Sequence, residues 1–196
     1  MSVRDDLLAV ARRRAAGDDD GALAALDELA SEQPHDPYVL HARGRARFDK
    51  GFMGGGTVDD KEAGLALLEA AVERAPADPF LHSELAFARE WGFADAAGAE
   101  ADYRRALALE PDFPDALLGA AALHGNPSAD VSADEATAWR QRAARLRPED
   151  GDNWLQLARL HDAGGRPEQA ERARARAALS PGAEPDLVAE QWPAEH

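Results

Sequence analysis

The chain has 196 residues, enough for one domain with a real core, and no cysteine, which excludes disulfides, thiolate zinc sites and a cysteine nucleophile. Its apolar residues are dominated by alanine, and aromatics make up only 6%, a composition that suits close helix packing better than strands. A net charge of −15 repels phosphate backbones and anionic headgroups, so nucleic acid and membrane are excluded as expected partners and a basic protein segment is favoured.

Along the chain, residues 1–20 carry charges on both sides of a short apolar run, which fits neither a signal peptide nor a membrane span. The expectation is a soluble, cytoplasmic protein. Gly17-Asp18 marks a turn, and Ala22 with Leu26 starts the apolar face of a second helix. Pro34 then opens a series of helix-ending prolines, continued by Pro76, Pro111, Pro148 and Pro181 at intervals of 42, 35, 37 and 33 residues. "PHDPYVL", "PADPFLH" and "PDFPDAL" follow three of them. Asp36 and Asp78 are placed to cap new helices, with Pro37 and Pro79 in the first position, where a missing N–H costs nothing.

Each interval divides into two helices. First helices carry the sets Leu40/Arg43/Gly44/Arg47, His82/Leu85/Ala86/Arg89, Leu117/Ala120/Ala121/His124 and Trp154/Leu157/Ala158/His161. The third member is small, as a close backbone approach requires; Val10 takes that place in the first unit. Second helices carry Ala22/Leu26, Gly64/Leu68, Ala99/Tyr103, Ala136/Arg140 and Ala170/Arg174. Gly51, Gly92, Gly125-Asn126-Pro127 and Gly164-Gly165 read as turns between the two, and Ser132 with Glu135 as a capping box.

The alternation W-x-x-L-A…A…P at a period of about 34 residues resembles the tetratricopeptide repeat (TPR) family, most clearly in "NWLQLARLHDAGGRPEQAERARARAALSP". The resemblance covers five units, about 3–34, 35–76, 77–111, 112–148 and 149–181, within a single domain 1–196. It implies an all-α fold: a right-handed solenoid of antiparallel helix pairs with a short capping tail, 182–196, that offers Leu187, Val188 and Trp192 to the last unit or to a neighbouring subunit. Arg140 and Arg174 depart from the family pattern by occupying places it fills with bulky apolar residues.

The 42-residue interval exceeds the repeat by eight, and "GFMGGGTVDDKE", residues 51–62, lies where that unit should turn. No lysine follows its glycines and a helix precedes them, so a phosphate-binding loop does not fit. Asp59, Asp60 and Glu62 are better explained by the positive end of a helix dipole than as metal ligands. The segment reads as an enlarged turn, in which Phe52 and Met53 tuck against the groove or a partner. His124 and His161 read as packed imidazoles, and no motif for catalysis, metal or cofactor appears.

The resemblance further implies that first helices line a concave groove. The residues carried onto it are Tyr38, His41, Arg45, Phe48, Phe80, Glu84, Phe87, Trp91, Leu118, Ala122, Gln156 and Arg159. Some relatives clamp a peptide carboxylate with Lys and Asn, which are missing at the matching positions here. The implied function is a non-enzymatic module binding a peptide or helix of a protein partner. The alternative is a self-associating structural protein forming homo-oligomers. An enzyme or nucleotide binder using the glycine loop is a distant third.

Overall fold

The computed structural model describes residues 2–53 and 55–180. The described residues form ten α-helices and no strand: α1 (Val3–Ala15), α2 (Asp19–Glu32), α3 (Pro37–Phe52), α4 (Val58–Arg74), α5 (Pro79–Phe93), α6 (Ala96–Leu109), α7 (Pro114–Ala122), α8 (Ala133–Leu146), α9 (Gly151–Ala163) and α10 (Pro167–Ala178). They pair in order as five helical hairpins. The chain divides into two compact units, 1–109 with three hairpins and 110–196 with the other two. Pro181 and the proposed capping tail lie outside the described residues.

Local chemistry sets the helix starts. Asp36 accepts hydrogen bonds from the Tyr38 and Val39 amides at 2.9 and 3.1 Å, and Asp78 accepts from the Phe80 amide at 2.9 Å. Each thereby satisfies donors that a helix leaves without partners. The capping box at Ser132 and Glu135 forms as read, and Ser2–Asp5 and Thr57–Asp60 make two more. Gly17, Gly125 and Gly165 adopt φ of 79°, 87° and 67°, the left-handed turn conformation that favours glycine.

The core is a string of small clusters, each filled by the facing surfaces of neighbouring helices. Val10, Ala22, Leu26 and Ala46 join α1, α2 and α3. Phe48, Leu68, Leu85 and Ala88 join α3, α4 and α5. In the second unit, Leu157, Ala158, Ala170 and Ala173 join α9 and α10. Gly44, Ala86, Ala121 and Ala158, the third members of the first-helix sets, are all buried. A Cβ on Gly44 would lie 2.9 Å from the Gly64 carbonyl, so α3 and α4 meet backbone to backbone.

Four sequence expectations are corrected. First, residues 51–62 are not an enlarged turn: α3 continues through Phe52 and α4 begins at Val58, so most of the excess length is helix. Thr57 caps α4, and Asp59 and Asp60 sit in its first turn. Second, Gly51 and Gly92 are helical, and they act by close packing. A Cβ on Gly51 would lie 2.7 Å from the Thr57 carbonyl, and one on Gly92 would overlap the Phe48 ring. The turn after α5 is made instead by Ala94, at φ 54°. Third, His124 is not packed between helices: α7 stops at Ala122, leaving His124 exposed in the following turn with Nδ1 2.8 Å from the Val131 carbonyl. Fourth, of the tucking pair only Phe52 folds back, stacking on Phe48 at 5.6 Å, while Met53 is 79% exposed.

Arg140 stays in its apolar-type place by finding polar partners. Its guanidinium donates to Asn153 Oδ1 at 3.2 Å, and Asn153 Nδ2 donates to the Arg140 carbonyl at 3.0 Å. Asn153 is fully buried, so the reciprocal pair satisfies groups that would otherwise be costly. Arg174 reaches outward to Asp162 instead.

Candidate functional site

The first helices of the three hairpins in unit 1 are α1, α3 and α5, and they carry a connected row of aromatic and charged side chains. Their spacing follows helix geometry: Tyr38, His41, Arg45 and Asp49 recur at three or four residues along α3, as do Phe80, Glu84, Phe87 and Trp91 along α5. The row begins at Tyr38, whose hydroxyl donates to Asp78 Oδ2 at 2.7 Å. That hydrogen bond, reinforced by the carboxylate charge, raises the Tyr38 pKa above its ordinary value. Asp78 thus serves two groups, one oxygen capping α5 and the other fixing Tyr38.

Next along the row, the His41 ring stands edge-on to Phe80 at 4.8 Å, and its Nε2 lies 3.0 Å from Glu84 Oε2. Arg45 donates to Glu84 at 3.2 Å and to Asp49 at 2.9 Å, with its guanidinium 4.6 Å above the Phe87 ring. Arg14 on α1 closes the set by donating to Asp49 at 2.6 Å. Burial pushes the Glu84 carboxyl up, but His41 and Arg45 outweigh it and hold the group below its ordinary value. Phe87 and Trp91 lie near-parallel at 6.2 Å and end the row.

Among these, Tyr38 at 46%, Phe80 at 38% and Trp91 at 58% exposure present aromatic surface to solvent. The charges between them face one another. Phe48 does not belong: it is completely buried in the core, held between α3, α4 and α5 where Gly92 leaves room for its ring. The remaining proposed residues lie in unit 2. Leu118 is half-buried on α7, Ala122 is exposed at the end of that helix, and on α9 Arg159 donates to Gln156 at 3.2 Å.

Sequence reasoning missed Arg14 and Asp49. Asp49 has a signal, since it follows Arg45 by four residues on one helix. Arg14 has none, because its partner is 35 residues away. Beside this row, a cleft of about 780 Å³ is lined by Arg14, Asp18, Asp19, Asp20, Arg45, Asp49, Lys50 and Met53. Its outer pairs are loose: Arg13–Asp18 at 3.6 Å, Arg14–Asp19 at 3.9 Å and Lys50–Asp20 at 3.5 Å. Among the described residues no cluster of three His, Cys, Asp or Glu is placed to hold a metal ion. None of the described helices is long and apolar enough to cross a membrane.

Solved structures match this arrangement of hairpins over nearly the whole chain. A thermophilic TPR protein from Thermus thermophilus superposes with a TM-score of 0.66 at 20% identity, covering 97% of each chain. The chain has the TPR fold. MamA from Desulfovibrio magneticus gives a TM-score of 0.66 at 16% identity, covering 89% of this chain and 92% of its own. YrrB, described as a TPR protein with an unusual peptide-binding site, gives 0.62 at 14% identity, covering 88% and 83%. No family profile matches the sequence, and no curated protein matches it. The likeness is therefore one of fold: the TPR hairpin register persists where sequence identity does not.

Proposed function

We propose that the chain is a non-enzymatic protein-interaction module whose α3–α5 face docks a peptide or helix of a protein partner. One observation carries this reading: Tyr38, Phe80, Phe87 and Trp91 form a continuous, partly exposed aromatic row whose intervening charges are already paired. Exposed aromatics on a rigid support provide large contact area at little entropic cost, as interface hot spots do. Because Arg45 and Glu84 satisfy each other, they position the rings, and contact with a partner falls mainly to the aromatic surfaces. The description of YrrB as a peptide-binding TPR protein agrees with a peptide ligand here.

The test is to isolate the partner by affinity purification and titrate it against variants. Phe87→Ala and Trp91→Ala should each weaken binding by about 2 kcal/mol or more, with both variants still folded. Arg105→Glu, at an exposed site on α6, should change affinity far less. Parental affinity in both alanine variants would refute the assignment. Light scattering on the free protein addresses self-association, since a concentration-independent monomer removes that alternative.

A further inference from the structure

One surface of unit 2 runs against the charge of the chain as a whole. The protein carries −15, yet residues 140–176 hold nine Arg against six Asp and Glu, a local excess of +3. Part of that excess is spent internally, since Arg142, Arg147 and Arg174 pair with Asp112, Asp115 and Asp162. Arg172 and Arg176 make no ion pair among the described residues. Both are exposed, one turn apart on α10, and both line a groove of about 470 Å³.

The rest of that groove is mainly apolar. Trp154, Leu157 and His161 follow one another at three and four residues along α9, and Ala173 and Leu179 complete the lining. Leu179 is 75% exposed and Trp154 half-buried, so large apolar surface meets solvent here. His161 is buried, yet its side chain makes no hydrogen bond among the described residues and its Nδ1 is enclosed without a partner. Burial, with Arg166 adding to it, holds the imidazole below its ordinary pKa, so the ring is neutral near pH 7. The groove thus combines an apolar wall, an imidazole with unused hydrogen-bonding capacity and two free cations. An amphipathic helix lays its apolar face into such a groove, and free arginines favour carboxylates on its flank. We propose that the α9–α10 groove docks an acidic amphipathic helix of a protein partner, with carboxylates at one-turn spacing beside Arg172 and Arg176. This site is separate from the α3–α5 face and takes a partner of opposite charge to the basic segment favoured by the chain's overall field.

The probe is a displayed library of random peptides about 15 residues long, enough for roughly four helical turns. It is selected on the full chain after depletion on the protein carrying both Arg172→Glu and Arg176→Glu. The expected survivors have large apolar residues at three- and four-residue spacing, flanked by Asp or Glu. Their affinity should fall about tenfold with Arg176→Glu and several-fold with Leu179→Ser, which removes apolar surface and no charge. Arg145→Glu, an equal charge change at an exposed site outside the lining, should cost less than about twofold, and Trp91→Ala should cost nothing. Circular dichroism checks that each variant keeps its helices. Equal losses for Arg176→Glu and Arg145→Glu would reduce the effect to diffuse attraction and overturn the proposal. So would survivors without acidic residues. Recovery of no peptide that distinguishes the parent from the double reversal also overturns it, the result expected if another part of the chain or a second copy fills the groove.

Discussion

Gly92 closes the space in which the Phe48 ring sits, and the two residues together determine what belongs to the core and what to the surface. At the sequence level Phe48 falls in step with Tyr38, His41 and Arg45, so periodicity alone places it beside them. In the fold its ring instead enters the core, where Leu68 of α4 and Leu85 and Ala88 of α5 receive it. Nothing in a single sequence tells a turn glycine from a packing glycine. Gly17 and Gly92 look alike until one shows φ 79° and the other shows an aromatic ring where its Cβ would stand. Adding that one methyl group should therefore be costly in spite of the gain in helix propensity. Gly92→Ala is expected to destabilise the protein by roughly 1–3 kcal/mol through overpacking against Phe48. Urea unfolding checks this, and a variant at least as stable as the parent would contradict the packing.

At the scale of elements, the repeat was legible because it is written redundantly. Prolines, caps and small residues recur together, and an error in any one is corrected by the others. Asp36-Pro37 and Asp78-Pro79 open α3 and α5 as the capping chemistry requires. The 42-residue interval is less legible, since Gly51 suggests a turn where α3 continues to Phe52 and α4 resumes as early as Val58. The reason is visible in α4: Thr57 and Asp60 form a capping box, and Lys61 donates to the Gly92 carbonyl at 2.7 Å while standing 4.7 Å over the Phe93 ring. The Lys61 contacts are long-range and have no local signature. They also make the segment structural. Replacing residues 51–62 with a four-residue turn should cost several kcal/mol, because it removes the α4 cap, the Lys61 contacts and the Phe52 stack on Phe48. Replacing only Gly55 with Ser should leave thermal stability nearly unchanged, since a Cβ there would meet only the Lys50 carbonyl at 3.9 Å, an ordinary contact.

At the scale of the whole molecule, two properties act over different distances and should separate in kinetics. The net charge of −15 reaches an approaching partner through solvent, within about 8–10 Å at physiological ionic strength. The aromatic row acts only at contact. Both were visible in the sequence: the charge directly, and the aromatic row once the repeat register was assigned. What could not be read was the pairing of His41 and Arg45 with Glu84, which depends on α3 and α5 lying side by side. In the docking proposed for the α3–α5 face, that pairing would leave the long-range field to steer encounter and the rings to hold the complex. For a basic partner segment, raising salt from 50 to 500 mM should slow association by roughly tenfold or more and leave dissociation nearly constant. Trp91→Ala should do the reverse, speeding dissociation with little effect on association, because it removes contact area and no charge. Stopped-flow measurement of both rates separates the two effects. If Trp91→Ala instead changed the association rate alone, the aromatic row would not be the surface that retains the partner.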